Sequence, residues 1–189
     1  MSLRSERFQP LNSRAGEPFA RIRVRARPGR RTQGVLTVGG LAIPVSLGRG
    51  GISANKREGD GATPRGTFHP VRLWYRPDRG PAPRTALPLR RIGADDAWSE
   101  DPADRRYNRP VKRKAGETGD RLRRADHLYD LIVEIDHNTR PRIAGRGSAV
   151  FIHLARPGFL PTAGCIGLAP HRLRWLVSRL GPRTEIDIA

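Results

Sequence analysis

Apolar and polar positions alternate along much of this chain, and the alternation predicts strands. Residues 19–26 (FARIRVRA) set Ile22, Val24 and Ala26 against Arg21, Arg23 and Arg25. That is the period of a strand with one buried face and one wet, basic face. Residues 34–38 and 41–47 flank Gly39-Gly40, a dipeptide suited to a tight hairpin turn. Residues 67–75 (TFHPVRLWY), 128–136 (LYDLIVEID), 149–154 (AVFIHL) and 184–188 (TEIDI) are further strand candidates. One helix is predicted. Pro170 suits a first helical position; Leu173, Leu176, Val177 and Leu180 recur at helical spacing, and Gly181-Pro182 stops the run. A shorter helical piece is expected around residues 102–109. The pattern is therefore mainly β with one late helix.

The stretch 76–126 breaks this pattern. It carries Pro77, Pro81, Pro83, Pro88, Pro102 and Pro110, many charges and few apolar residues. It is expected to be an irregular insert. Long loops of this kind serve as lids or binding loops, or are surface excursions without a role. Trp98, Tyr107 and Asn108 favour a lid, because aromatic side chains in a loop need something to pack on. Residues 1–17 are polar and turn-rich and are expected to be flexible; residues 18–189 then form one domain.

Composition narrows the function classes. The chain has 189 residues, of which 37% are hydrophobic, with 21 Gly and 17 Pro. A core is within reach, and the Gly and Pro content argues for many short elements. The longest apolar run, 41–47, is strand-sized and far short of the roughly 18 residues a membrane span needs. Residues 1–20 lack an apolar stretch, so no secretory signal is visible. One cysteine excludes an internal disulfide and any zinc site needing two thiolates. The formal charge is +18, from 33 Arg and 3 Lys against 18 acidic residues. The arginines are scattered rather than blocked. Such a surface attracts polyanions, but no finger, RNP-like motif or basic zipper argues for specific nucleic-acid binding.

The chemistry-bearing stretch is 151–168, FIHLARPGFLPTAGCIGL. It holds the sole cysteine, Cys165, in a small-residue turn, with His153 twelve positions upstream in an apolar strand. A thiol nucleophile needs a base in reach, an exposing turn and nearby amides for an oxyanion. Gly164 would let the backbone approach a substrate. The plain alternative is a small buried hydrophobe, as free Cys often is. Residues 47–68 are Gly-rich but lack a phosphate-loop pattern, since Arg57 follows Lys56. Lys56, Arg57 and Glu58 are expected on a solvated rim or facing an anionic substrate.

The stretch resembles the signature of the L,D-transpeptidase catalytic domain (YkuD) family. That signature is a His at a strand end, a loop, then Ser/Thr-His-Gly-Cys-hydrophobic-Arg/Asn. Here it reads His153, then Thr162-Ala163-Gly164-Cys165-Ile166-Gly167. Ala163 and Gly167 depart from the pattern, and the intervening loop is short. Residues 47–68, ending in TPRGTF, resemble the family's Gly-rich segment. Residues 98–109 (WSEDPADRRYNR) and 145–153 (GRGSAVFIH) resemble an alpha- and betaproteobacterial branch with an insert.

The resemblance implies a mixed β-sandwich or barrel-like sheet with a helix after the nucleophile and a long inserted loop. It implies acyl transfer through a Cys165 thioester, with His153 as base oriented by the Leu154 carbonyl. The Gly164 and Cys165 amides would hold the oxyanion. Thr162, Lys56, Arg57, Trp98, Tyr107 and Asn108 are the expected substrate contacts. The substrates would be peptidoglycan stem peptides in the cell envelope or periplasm, with no cofactor or metal required. The linkage would be L-Ala to diaminopimelate (1-3) in preference to diaminopimelate to diaminopimelate (3-3). Water as acceptor would make an L,D-carboxypeptidase. A non-catalytic basic module binding wall or nucleic acid is the alternative outside enzymes.

Overall fold

The computed structural model describes residues 17–113 and 119–189. Apart from Glu17, the expected flexible segment 1–17 lies outside them. Strands β1 (Arg21–Arg27), β2 (Arg30–Val38) and β3 (Leu41–Ser46) come first. Short strands β4 (Ile52–Ser53), β5 (Thr63–Pro64) and β6 (Gly66–Phe68) follow, then β7 (Pro70–Tyr75). The insert supplies β8 (Leu89–Arg91), β9 (Asp96–Trp98), β10 (Pro110–Lys112) and β11 (Asp120–Arg121). The chain ends with β12 (Leu131–Ile135), β13 (Phe151–Leu154), β14 (Ile166–Leu168), helix α1 (Pro170–Val177) and β15 (Glu185–Ile188). The mainly β class with one α-helix is as expected.

Ten strands form one mixed sheet in the order β6-β15-β1-β2-β3-β14-β13-β12-β7-β8. The β1–β2 and β2–β3 hairpins are antiparallel, and Gly39 and Gly40 turn the second with φ of 52° and 78°. The β13–β14 pair is parallel, with Ile152 opposite Ile166. Residues 67–75, read as one strand, are two. β6 lies at one edge of the sheet and β7 next to the other, yet only His69 separates them in sequence. The sheet must therefore curl until its ends nearly meet. Asp136 stitches the seam: its carboxylate accepts the His69 N–H at 2.8 Å, and its own N–H donates back to the His69 carbonyl.

The concave side is filled by aliphatic residues. Ile22 and Val24 of β1, Leu36 of β2 and Ile152 of β13 are all fully buried there. Helix α1 adds Leu173, Leu176 and Val177 of the predicted stripe; Leu180 is buried in the same core but lies beyond the helix, which ends at Val177. Each such burial contributes up to about 1.5–3 kcal/mol.

Two expectations fail locally. Residues 102–109 are turns, not a helix. Asp101 and Asp104 accept from the nearby N–H groups of Ala103 and Arg106, at 2.8 Å each. Side chains that bond their own backbone compete with helix formation. The insert 76–126 is also not irregular. β8 extends the main sheet beside β7, while β10, β9 and β11 form a separate three-stranded sheet.

Candidate active site

Strand β13 is buried on both faces. Ile152 and Leu154 point into the aliphatic core. Phe151 and His153 point the other way, under the insert. There Trp98 meets Phe151 edge-on at 4.9 Å, and Tyr129 meets His153 at 5.2 Å. Cys165 packs in this second cluster with Trp74, Trp98, Tyr129, Ile132 and Phe151. It directly precedes β14, so the 152–166 register puts it beside Phe151, one diagonal step from His153 on the adjacent strand. Such strands run about 4.8 Å apart. Both side chains line one cavity of about 370 Å³.

The imidazole has a defined role for each nitrogen. Nδ1 of His153 lies 2.8 Å from the Leu154 carbonyl oxygen. A carbonyl only accepts, so Nδ1 carries the hydrogen and Nε2 keeps its lone pair. Burial lowers the His153 pKa to about 4, so the ring is neutral at physiological pH. The Cys165 thiol donates to the Ala149 carbonyl at 3.1 Å and accepts the Phe151 N–H at 3.3 Å. Burial pushes its pKa up to about 12. The resting pair is thus thiol and imidazole, both uncharged.

The turn before Cys165 is held by Thr162. Its hydroxyl donates to the Cys165 carbonyl at 2.6 Å and accepts the Gly164 N–H at 3.1 Å. The Gly164 amide, expected at the oxyanion, is therefore already occupied. Gly164 has φ of 140°, and a Cβ there would sit 2.9 Å from the Ala62 carbonyl oxygen. This position is closed to larger residues. Gly167, where the family signature has Arg or Asn, is also crowded: a Cβ would lie 2.3 Å from Ser46 Oγ and 3.1 Å from Ala155 Cα.

The other expected substrate contacts divide. Thr162 and Lys56 line the cavity. Lys56 is buried, however, and its Nζ bonds Asp60 and the Arg57 carbonyl. Burial works against the Asp60 charge, but hydrogen bonds from Lys56, Arg57 and Ala62 hold its carboxyl below the ordinary range. Arg57 is exposed and off the cavity wall. Trp98, Tyr107 and Asn108 are buried and also off it. The Asn108 carbonyl oxygen accepts from Trp98 Nε1 at 2.9 Å and from the Ala149 N–H, and its Nδ2 donates to the carbonyls of His137 and Asn138. Tyr107 donates to Glu58. These three hold the floor of the site rather than its surface.

Glu58, expected beside Lys56 and Arg57, also lines the cavity; sequence reasoning missed Glu100, Asp120, Arg124, Tyr129 and Ser148 there. Glu100 and Ser148 lay in stretches that carry the family resemblance, and no periodic signal marks the others. Among the described residues, no group of three or more His, Cys, Asp or Glu could hold a metal ion.

The family model of the L,D-transpeptidase catalytic domain, YkuD, matches residues 24–188. The chain belongs to the YkuD family. Its sequence matches none of the curated proteins searched. Among solved structures, an L,D-transpeptidase from Mycobacterium smegmatis is 15% identical, with a TM-score of 0.39. L,D-transpeptidase 1 of Mycobacterium tuberculosis is 14% identical, with a TM-score of 0.35. The alignments cover 89% of this YkuD chain but 58% and 60% of those two. No described helix of the YkuD chain is long and apolar enough to cross a membrane.

Proposed function

We propose that this YkuD domain is a peptidoglycan L,D-transpeptidase acting through a cysteine thioester. The observation that carries the reading is the shared cavity of Cys165 and His153, with Nδ1 of His153 committed to the Leu154 carbonyl and Nε2 left to accept a proton. A substrate carbonyl entering the cavity draws the thiol from Ala149 toward Nε2. His153 takes the proton, and Sγ attacks the carbonyl of a stem-peptide diaminopimelate. With the Gly164 amide bound to Thr162, the Cys165 N–H is the donor assigned to the oxyanion. The imidazolium then protonates the leaving amine, and an amine acceptor resolves the thioester.

The acceptor we favour is L-Ala, giving 1-3 links. Ala163 and the crowded Gly167 change the surroundings of the thiol, and the insert adds a wall. The insert 76–126 acts as the lid: Glu100, Asp120 and Arg124 line the cavity, while Trp98 anchors it on Phe151. The family places such an enzyme in the cell envelope.

Intact mass after incubation with purified muropeptides tests this. An adduct on the wild type, absent from Cys165→Ala, is expected. No adduct on the wild type sinks the reading. Dimer products identify the link, and tripeptide release alone identifies a carboxypeptidase.

A further inference from the structure

The cavity wall carries a group that acylation of Cys165 does not use. In a chain with twice as many basic as acidic residues, a carboxylate readily finds a guanidinium. Asp78 has Arg76 and Arg123, Asp104 has Arg106 and Arg113, and Asp126 has Arg124. Glu100 follows β9 in the insert and lines the cavity that holds Cys165 and His153. Among the described residues it has neither a hydrogen bond nor an ion pair.

Two further carboxylates share the wall, and both are hydrogen-bonded. Glu58 accepts from the hydroxyls of Tyr107 and Ser148, and Asp120 accepts from Tyr129. Glu100 is exposed at its edge of the cavity, yet the protein packed around it, then the charges of Asp120 and Glu58, push its pKa up to about 7. Near neutral pH it exists both as acid and as base. The three do not converge on a metal-holding geometry. The same wall carries Arg49, Lys56, Arg124 and Arg156, and Glu100 is the carboxylate on it that a positively charged reactant meets without displacing a partner among the described residues.

We propose that Glu100 is the general base for the acceptor amine. The inference rests on the transpeptidase reading above. The acceptor arrives as an ammonium, which cannot attack. Glu100 takes one proton, leaving the lone pair on nitrogen. Nitrogen bonds to the thioester carbonyl carbon, and the C–S bond breaks with its electron pair on Sγ. A second N–H proton passes through His153 to Sγ and restores the thiol. Glu100 then releases its proton to water. One thioester and one ammonium give one amide, one thiol and one proton.

The test uses the full chain acylated by a muropeptide donor, with resolution by two probes. Alanine amide is mostly ammonium at neutral pH; hydroxylamine is mostly neutral there. Glu100→Gln should acylate within about twofold of wild type, and its resolution by alanine amide should slow by about 10²-fold, the lower end of general-base effects. Resolution by hydroxylamine should be unchanged, which a merely structural role would not predict. Unchanged resolution by alanine amide, or equal losses with both probes, would overturn the inference while leaving Cys165 as nucleophile. A wild type that forms no adduct would overturn both readings.

Discussion

The two faces of β13 are built by opposite rules. One face, Ile152 and Leu154, meets aliphatic side chains from the curled sheet and α1. The other, Phe151 and His153, meets aromatic rings, hydroxyls and a thiol under the insert. Both faces are buried, yet only the second leaves polar atoms open to a cavity. Alternation along four residues is enough to make one strand serve as scaffold on one side and as site on the other.

Substitutions on the two faces should separate cleanly. His153→Gln should reduce the acylation rate per folded molecule by about 10²–10⁴-fold, the usual worth of a positioned base. In the wild type, acylation should stay level from about pH 8 to about pH 5 and fall only as His153 protonates toward about 4. An acid limb near the ordinary histidine value would place the ring in water. On the other face, Ile152→Ala should cost about 2–5 kcal/mol in denaturant unfolding, with the acylation rate per folded molecule retained. A large rate loss there would dissolve the distinction.

Asn108→Ala tests the floor. It strands the Trp98 indole N–H and two carbonyls, and should cost about 1–3 kcal/mol. The smallest effect belongs to Glu100→Gln. Because the folded chain holds this proton more tightly than the unfolded chain, the wild type loses stability as pH rises from the usual value of 4.5 toward about 7. The variant should therefore be more stable at alkaline pH and no more stable in acid. Contact with water screens the charge, so the gain should stay below about 1 kcal/mol, read as a melting shift of at most about 2–4 °C.

Much of the aliphatic half was legible in the sequence. Ile22 and Val24 alternate, Gly39-Gly40 turns a hairpin, and the leucines of α1 recur at helical spacing, because each pattern reports burial on one face. The thiol and imidazole were legible through residue chemistry and the family signature. The insert was not. Its strands are two or three residues long, too short to show a period, and Trp98 and Tyr107 read as ligand contacts when they are packing. The split of 67–75 was hidden for another reason. His69 and Pro70 look like strand interior, and only the closing of the sheet on itself reveals a corner there. Glu100 and Asp120 reach the cavity through tertiary folding that no local pattern encodes.

The hold of Ala149 on the Cys165 proton has a consequence for durability. Peroxides and disulfide exchange consume sulfur chiefly as the anion. A sulfur kept protonated and sheltered behind that carbonyl is a slow target for oxidants, so the atom on which the proposed chemistry depends is stored in its least perishable form.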